Sequence, residues 1–171
     1  INGEIIIMSS PDTLHQAISG NLFVLFRNYL KGKKCKAFYS PFDVHFYKKG
    51  FKDPDVMQPD LFIACDLEHK LNENGRYMGT PSLVVEILSR STRSRDMVDK
   101  LNTYMLSGAR EFWVVDPKGK TLLVYGFKDF EIDSFITYKN SDTVKSYWFE
   151  GLEATLEEIF EVISENFIKM A

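Results

Sequence analysis

Cysteine is scarce in this chain: Cys35 and Cys65 are the only two, and neither sits in a CxxC pair or a Cys/His cluster. That pattern argues against a zinc site and a disulfide framework and fits a reducing cytosol, so each is expected to be a small buried hydrophobe. Long apolar runs are missing too. No segment reaches the roughly 18 apolar residues that a membrane-spanning helix needs. Excess positive charge is absent, with a formal net charge of -3 and a pI near 5.7, so any contact with nucleic acid must come from local patches. No repeat, low-complexity tract or linker divides the 171 residues, which are expected to form one domain. No signal peptide is visible, and the first residue is Ile1 rather than methionine, so residues are expected to precede it. A cytoplasmic location is the default expectation.

What is present reads as alternating helices and strands. Glu4–Met8 predicts a strand, and Ser9-Ser10-Pro11-Asp12 predicts a helix start with a cap, a proline and an acid in the first turn. Leu14, Ile18, Leu22, Leu25 and Tyr29 recur at helical spacing up to about Leu30. The basic run Lys31–Lys36 then reads as a solvated C-cap or as a phosphate-contacting patch. Phe42, Val44 and Phe46 alternate with polar residues, and Pro59–Cys65 reads as the antiparallel partner of that strand, joined through a turn over 48–56. The polar stretch 66–80 predicts a mobile surface loop.

The strand through Leu88 is apolar almost without a break, which predicts burial on both faces of a sheet. A helix follows over 91–106 with Met97, Leu101, Tyr104 and Met105 inward, then a strand at Glu111–Asp116, a Pro117–Lys120 turn and a partner at Thr121–Phe127. Short strands are expected at 130–138 and 143–149. Leu156, Ile159, Phe160, Ile163 and Phe167 predict a C-terminal helix whose acidic outer face, with Glu153, Glu157, Glu158, Glu161 and Glu165, would repel DNA. The fold class is α/β.

Two acids stand out because they lie within apolar runs. Asp60 opens Leu61-Phe62-Ile63-Ala64, and Glu86 is embedded in Leu83-Val84-Val85-Glu86-Ile87-Leu88. Burying a carboxylate is costly unless it is protonated, hydrogen-bonded or bound to a cation. With Lys100 on the following helix, the pair outlines metal-assisted phosphodiester hydrolysis.

The series Asn2-Gly3-Glu4, His15, Pro59-Asp60, Gly79 through Ser89, Asp96, Lys100, Tyr104, Gly108 and Glu111 through Pro117 resembles the Uma family of restriction endonucleases. That family is assigned to the PD-(D/E)xK superfamily, so the resemblance implies a restriction-endonuclease-like mixed sheet flanked by helices, with extra C-terminal strands. It implies that Asp60 and Glu86 bind Mg²⁺, with Mn²⁺ as a substitute, and that the substrate is DNA. One position departs from the pattern: the superfamily's lysine stands two residues after the second acid, where this chain has Leu88. The resemblance implies a migrated lysine, Lys100. Its spacing equally allows an exposed i,i−4 pair with Asp96.

Further candidates carry two readings each. Asp43 is a third acid beside Asp60 or a solvated edge residue. His15 is a partner of an active-site carboxylate or a satisfied boundary histidine, and Ser89 supports the site or caps a turn. Arg90, Arg93 and Arg95 contact phosphates or begin a solvated helix, and Trp113 is expected in the core. Self-association into a dimer is expected, since enzymes that cut both strands often pair sites by twofold symmetry. Tyr147, Trp148 and Phe149 offer surface for it. The other readings are a non-catalytic nucleic-acid-binding or regulatory module that keeps the fold, and a structural protein whose acids make ordinary hydrogen bonds.

Overall fold

The computed structural model describes residues 11–89 and 94–161, with the side chains of 94–96 left aside. The expected strand at Glu4–Met8, Arg90, Arg93, the Arg95 side chain, and Ile163 and Phe167 of the expected C-terminal helix lie outside the described residues.

Among the described residues the central sheet has six strands: β1 (Lys36–Tyr39), β4 (Leu61–Ala64), β5 (Leu83–Ile87), β6 (Glu111–Asp116), β7 (Thr121–Lys128) and β8 (Glu131–Tyr138), in the spatial order β1-β4-β5-β6-β7-β8. Only β5 and β6 run parallel, joined by helix α3 (Ser94–Leu106); the other pairs are antiparallel. Helix α1 (Thr13–Tyr29) covers the opposite face. Strands β2 (Val44–Phe46) and β3 (Asp55–Met57) form a separate hairpin, as do β9 (Thr143–Lys145) and β10 (Glu153–Thr155). Helix α2 (Leu67–Lys70) and helix α4 (Leu156–Ile159) are single turns. The mixed α/β fold expected from the sequence is present.

Strand periodicity builds the two apolar layers. On β5, Leu83, Val85 and Ile87 face the α1 layer, which holds Ile18, Leu22, Phe26 and Trp113, while Val84 joins Phe62, Tyr104 and Phe112 in the α3 layer. Every residue of β5 is buried, as its unbroken apolar run predicts. Glu86 therefore occupies a slot that alternation would give to a hydrophobe on the α3 side.

Several expectations need correction. The cap of α1 is Asp12, whose Oδ1 accepts the His15 N–H at 2.9 Å, and its buried stripe is His15, Ile18, Leu22 and Phe26. The strand at Val44–Phe46 pairs with β3, not with β4, whose neighbours are β1 and β5. β1 was hidden behind the basic run that precedes it. Residues 66–80 are not a loose loop: they contain α2, a Leu71–Tyr77 bridge, and a fully buried Tyr77 whose hydroxyl donates to Asp66 Oδ1 at 2.6 Å.

Glu111 is fully buried, yet its carboxylate accepts from Trp113 Nε1, Ser146 Oγ and the backbone N–H groups of Tyr147 and Trp148. Those bonds tie the chain after β9 to the sheet. Burial still outweighs them in raising the Glu111 pKa.

The cysteines are the clearest correction. Register pairs Lys36 with Ala64, so Cys35 and Cys65 stand one step beyond, and they form a disulfide with Cα atoms 4.0 Å apart. The sequence separation of 30 gives no local signal of that pairing. Under non-reducing denaturation a thiol titration is expected to find no free cysteine. By loop-closure entropy, reduction of a loop this size should lower unfolding free energy by about 3–4 kcal/mol in a urea titration. Two titratable thiols in untreated protein would contradict the pairing.

Candidate active site

The register of β4 against β5 decides where the acids meet. Leu61 pairs with Val85, so Asp60, one residue before β4, stands across from Glu86. The link is direct: Asp60 Oδ2 accepts the Ile87 N–H at 2.7 Å. A side chain thus closes the ladder where the main chain of β4 gives way. Helix α1 adds His15, with Nε2 3.3 Å from Asp60 Oδ2.

Helix α3 supplies the other half. Lys100 Nζ lies 2.6 Å from Glu86 Oε2, and the Tyr104 hydroxyl donates to Glu86 Oε1 in a short hydrogen bond. Both residues project from one helix face because they are four apart. Tyr104 is fixed by edge and tilted contacts with Phe112 and Phe46. Between them, Thr103 Oγ1 donates to Asp55 Oδ2 at 3.0 Å, and Asp55 forms a buried ion pair with Lys48 at 2.7 Å. The β2–β3 hairpin is thereby anchored to the segment of α3 that faces Glu86.

These contacts remove the exposed-pair reading of Lys100. Its side chain is only 14% exposed and points to Glu86 rather than into solvent. It stands against Glu86, whereas position 88, two residues further along, carries the apolar Leu88.

The electrostatics fit a site that gathers charge. Burial raises the Glu86 pKa, Lys100 opposes that shift, and the nearby Asp60 charge adds to it. Burial and the Glu86 charge hold the Tyr104 hydroxyl well above its ordinary range, so it stays a donor. The hydrogen bond to Asp60 raises the His15 pKa against the opposing effect of burial. His15 Nδ1 is buried without a partner among the described residues.

Asp60 and Glu86 are the groups able to hold a metal ion here. Among the described residues Asp60 Oδ1 makes no hydrogen bond, and no group of three or more His, Cys, Asp or Glu side chains converges. A cation would rest on these two carboxylates with the remaining oxygens from solvent and substrate. That donor set is ordinary for Mg²⁺, which keeps several waters and binds through one or two carboxylates.

Not every candidate joins the cluster. Asp43 is exposed, lies before β2, and accepts from Gln58 Nε2 at 2.8 Å, so it touches the segment leading to Asp60 rather than the pair. Ser89 lines a cleft of about 640 Å³ at the carboxyl ends of β5 and β6, with Asp12, Leu88, Asp116 and Lys118. The Lys31–Lys36 cluster lies at the other end of β4, since Lys36 pairs with Ala64, roughly 13 Å along the strand from Asp60. There Lys33 sits over the Tyr29 ring and Lys34 faces Glu68, as a solvated cap would. Tyr104 is inward and fully buried, as its helical spacing predicts, and its place four residues after Lys100 is the signal for the further contact with Glu86. The Ile87 N–H carried none.

With this geometry in place, the likeness to known proteins is informative. The Uma2 family, described as "Putative restriction endonuclease", matches residues 1–157. The crystal structure of "a putative nuclease belonging to DUF820" from Anabaena variabilis superposes with a TM-score of 0.76 and 20% identity, covering 94% of this chain and 87% of that one. That likeness establishes the nuclease-type fold. An uncharacterised protein of Synechocystis sp. is 29% identical over 103 residues, 60% of this chain. The match spans about half the length of that relative, 51%. On the extent of the family match, this chain belongs to the Uma2 family.

Proposed function

We propose that this protein is a Mg²⁺-dependent endonuclease that hydrolyses DNA phosphodiester bonds, with Asp60, Glu86 and Lys100 as its catalytic residues and Mn²⁺ able to replace Mg²⁺. The observation that carries the reading is the approach of Lys100 Nζ to Glu86, on the strand position facing Asp60. A cation bound to the two carboxylates would supply Lewis acidity to the phosphate and help to activate the attacking water. Lys100 adds a fixed positive charge where negative charge grows in the transition state. His15 orients Asp60, and Tyr104 holds one Glu86 oxygen so that the carboxylate cannot rotate. Arg90, Arg93 and Arg95, close in sequence to Ser89, are proposed phosphate contacts, and Ser89 and Asp43 are supporting residues.

The test is cleavage of supercoiled, linear and single-stranded DNA with Mg²⁺ or Mn²⁺. Asp60→Ala should abolish metal-dependent cleavage, and Lys100→Met should slow it by about two to three orders of magnitude, the scale of one lost donor in a dry site. A wild-type rate in Lys100→Met would exclude its role. DNA binding by the wild type without cleavage under any metal would favour the non-catalytic module.

We also propose a homodimer, supported by the outer strand β8, which exposes Ile132, Phe135 and Ile136 at the sheet edge. Phe149 is core, whereas Tyr147 and Trp148 are exposed. Sedimentation equilibrium at micromolar concentration should give twice the chain mass, and Phe135→Glu should reduce it to the monomer. A monomeric wild type would refute the dimer. Among the described residues no helix is long and apolar enough to cross a membrane. A DNA substrate argues for the cytoplasm, where the Cys35–Cys65 pair would meet a reducing environment. Fractionation with cytoplasmic and exported markers would decide the location.

A further inference from the structure

The cleft at the carboxyl ends of β5 and β6, the end of β5 where Asp60 meets Ile87, adjoins a second hollow. Lys118 lines it and also lines a second cavity of about 590 Å³, together with Lys120, Lys139, Asn140, Leu156, Glu157 and Phe160. The two hollows adjoin at Lys118, which lines both, and together they extend from the ends of β5 and β6 to the β6–β7 turn. Lys118, Lys120 and Lys139 are exposed, and among the described residues none forms an ion pair. Leu156 and Phe160 give the second cavity an apolar lining. Asp12, Asp116 and Glu157 line the same hollows, so the lysines stand out by having no ion-pair partner among the described residues rather than by an excess of positive charge.

Backbone conformation adds an independent sign. In the β6–β7 turn Lys120 takes a left-handed φ of 48°, while Gly119 beside it does not. Glycine or asparagine adopts that conformation at less cost than lysine. Asn140, across the same cavity, is left-handed at φ 58° and suits its position. The turn itself therefore does not require a lysine at this position.

The acids along the groove are largely occupied. Asp12 caps α1, and Asp116 Oδ1 accepts the Lys118 N–H at 2.9 Å. Glu158 forms the capping box of α4 with Thr155, and of the acidic face expected to repel DNA only Glu157 lines the second cavity, so the path runs along the edge of that face rather than across it.

We propose that a DNA strand leaving the candidate active site follows this groove, with its phosphate backbone on Lys118, Lys120 and Lys139. The inference rests on the endonuclease reading and assigns it a substrate path. The lysines act by neutralising phosphates and releasing counterions, without base recognition. Affinity along the groove is therefore independent of sequence and falls with salt.

The test is fluorescence anisotropy with a labelled duplex and its single strand, using the full chain without added divalent cation. Replacing Lys118, Lys120 and Lys139 together by alanine should weaken binding at least about tenfold near 0.1 M salt and flatten the log K against log salt slope by about 2–3, each phosphate contact contributing about 0.7–0.9. Lys120→Gly alone should weaken binding while the thermal midpoint stays level or rises, which a structural role would not produce. Glu157→Gln should tighten binding. Replacing Lys31 and Lys34 at the other end of β4 should change nothing. Wild-type affinity and slope in the triple variant would overturn the path, as would a wild type that binds neither DNA form. Either result is separable from the catalytic reading, which stands or falls on cleavage by wild type against Asp60→Ala.

Discussion

The constraint on which the rest of this structure depends is the burial of Glu86 inside the sheet. It is 5% exposed and sits where strand alternation would place a hydrophobe against α3. A buried charge must be met, and removing a partner from such a pair typically costs about 3–5 kcal/mol. Lys100 and Tyr104 meet this one, so α3 is held in rotation and register as well as by apolar packing. The Lys48–Asp55 pair with Thr103 reinforces the same helix segment. A hydrophobe at position 86 would satisfy the fold at lower cost. Under the proposed function, negative charge at this depth is what a cation site requires.

The second consequence is where the sheet opens. Asp60 stands at the end of β4 and bonds the Ile87 N–H, so β4 and β5 separate at the point where their carboxylates face each other. α1 reaches the same point from the other face through His15. Strands from one sheet and helices from both faces converge there, and the cleft lined by Leu88 and Ser89 lies at the same end of β5. Elements that are packed elsewhere position the proposed catalytic groups.

Legibility in the sequence followed the physics of each element. β5 and β6 were readable because unbroken apolar runs bounded by turn residues have few alternatives, and β6 has the predicted ends at Glu111 and Asp116. β1 was not, since Lys36–Tyr39 is short and follows a basic run that suits a helix terminus equally well. The pairing of Phe42–Tyr47 failed because local alternation says which face is buried but not which strand lies alongside. The disulfide is the same kind of failure: Cys35 and Cys65 meet only through β1–β4 register. Asp60, Glu86 and Lys100 were legible as chemically unusual residues. That His15 bonds Asp60 and Tyr104 bonds Glu86 required the tertiary structure.

The central claim, that Asp60 and Glu86 form one cation site with Lys100 beside it, is tested most directly by calorimetric titration of Mn²⁺ into the full chain and into Asp60→Ala. The account predicts a saturable site in the wild type that Asp60→Ala abolishes. Equal, saturable binding in both proteins, or none in the wild type, would contradict it.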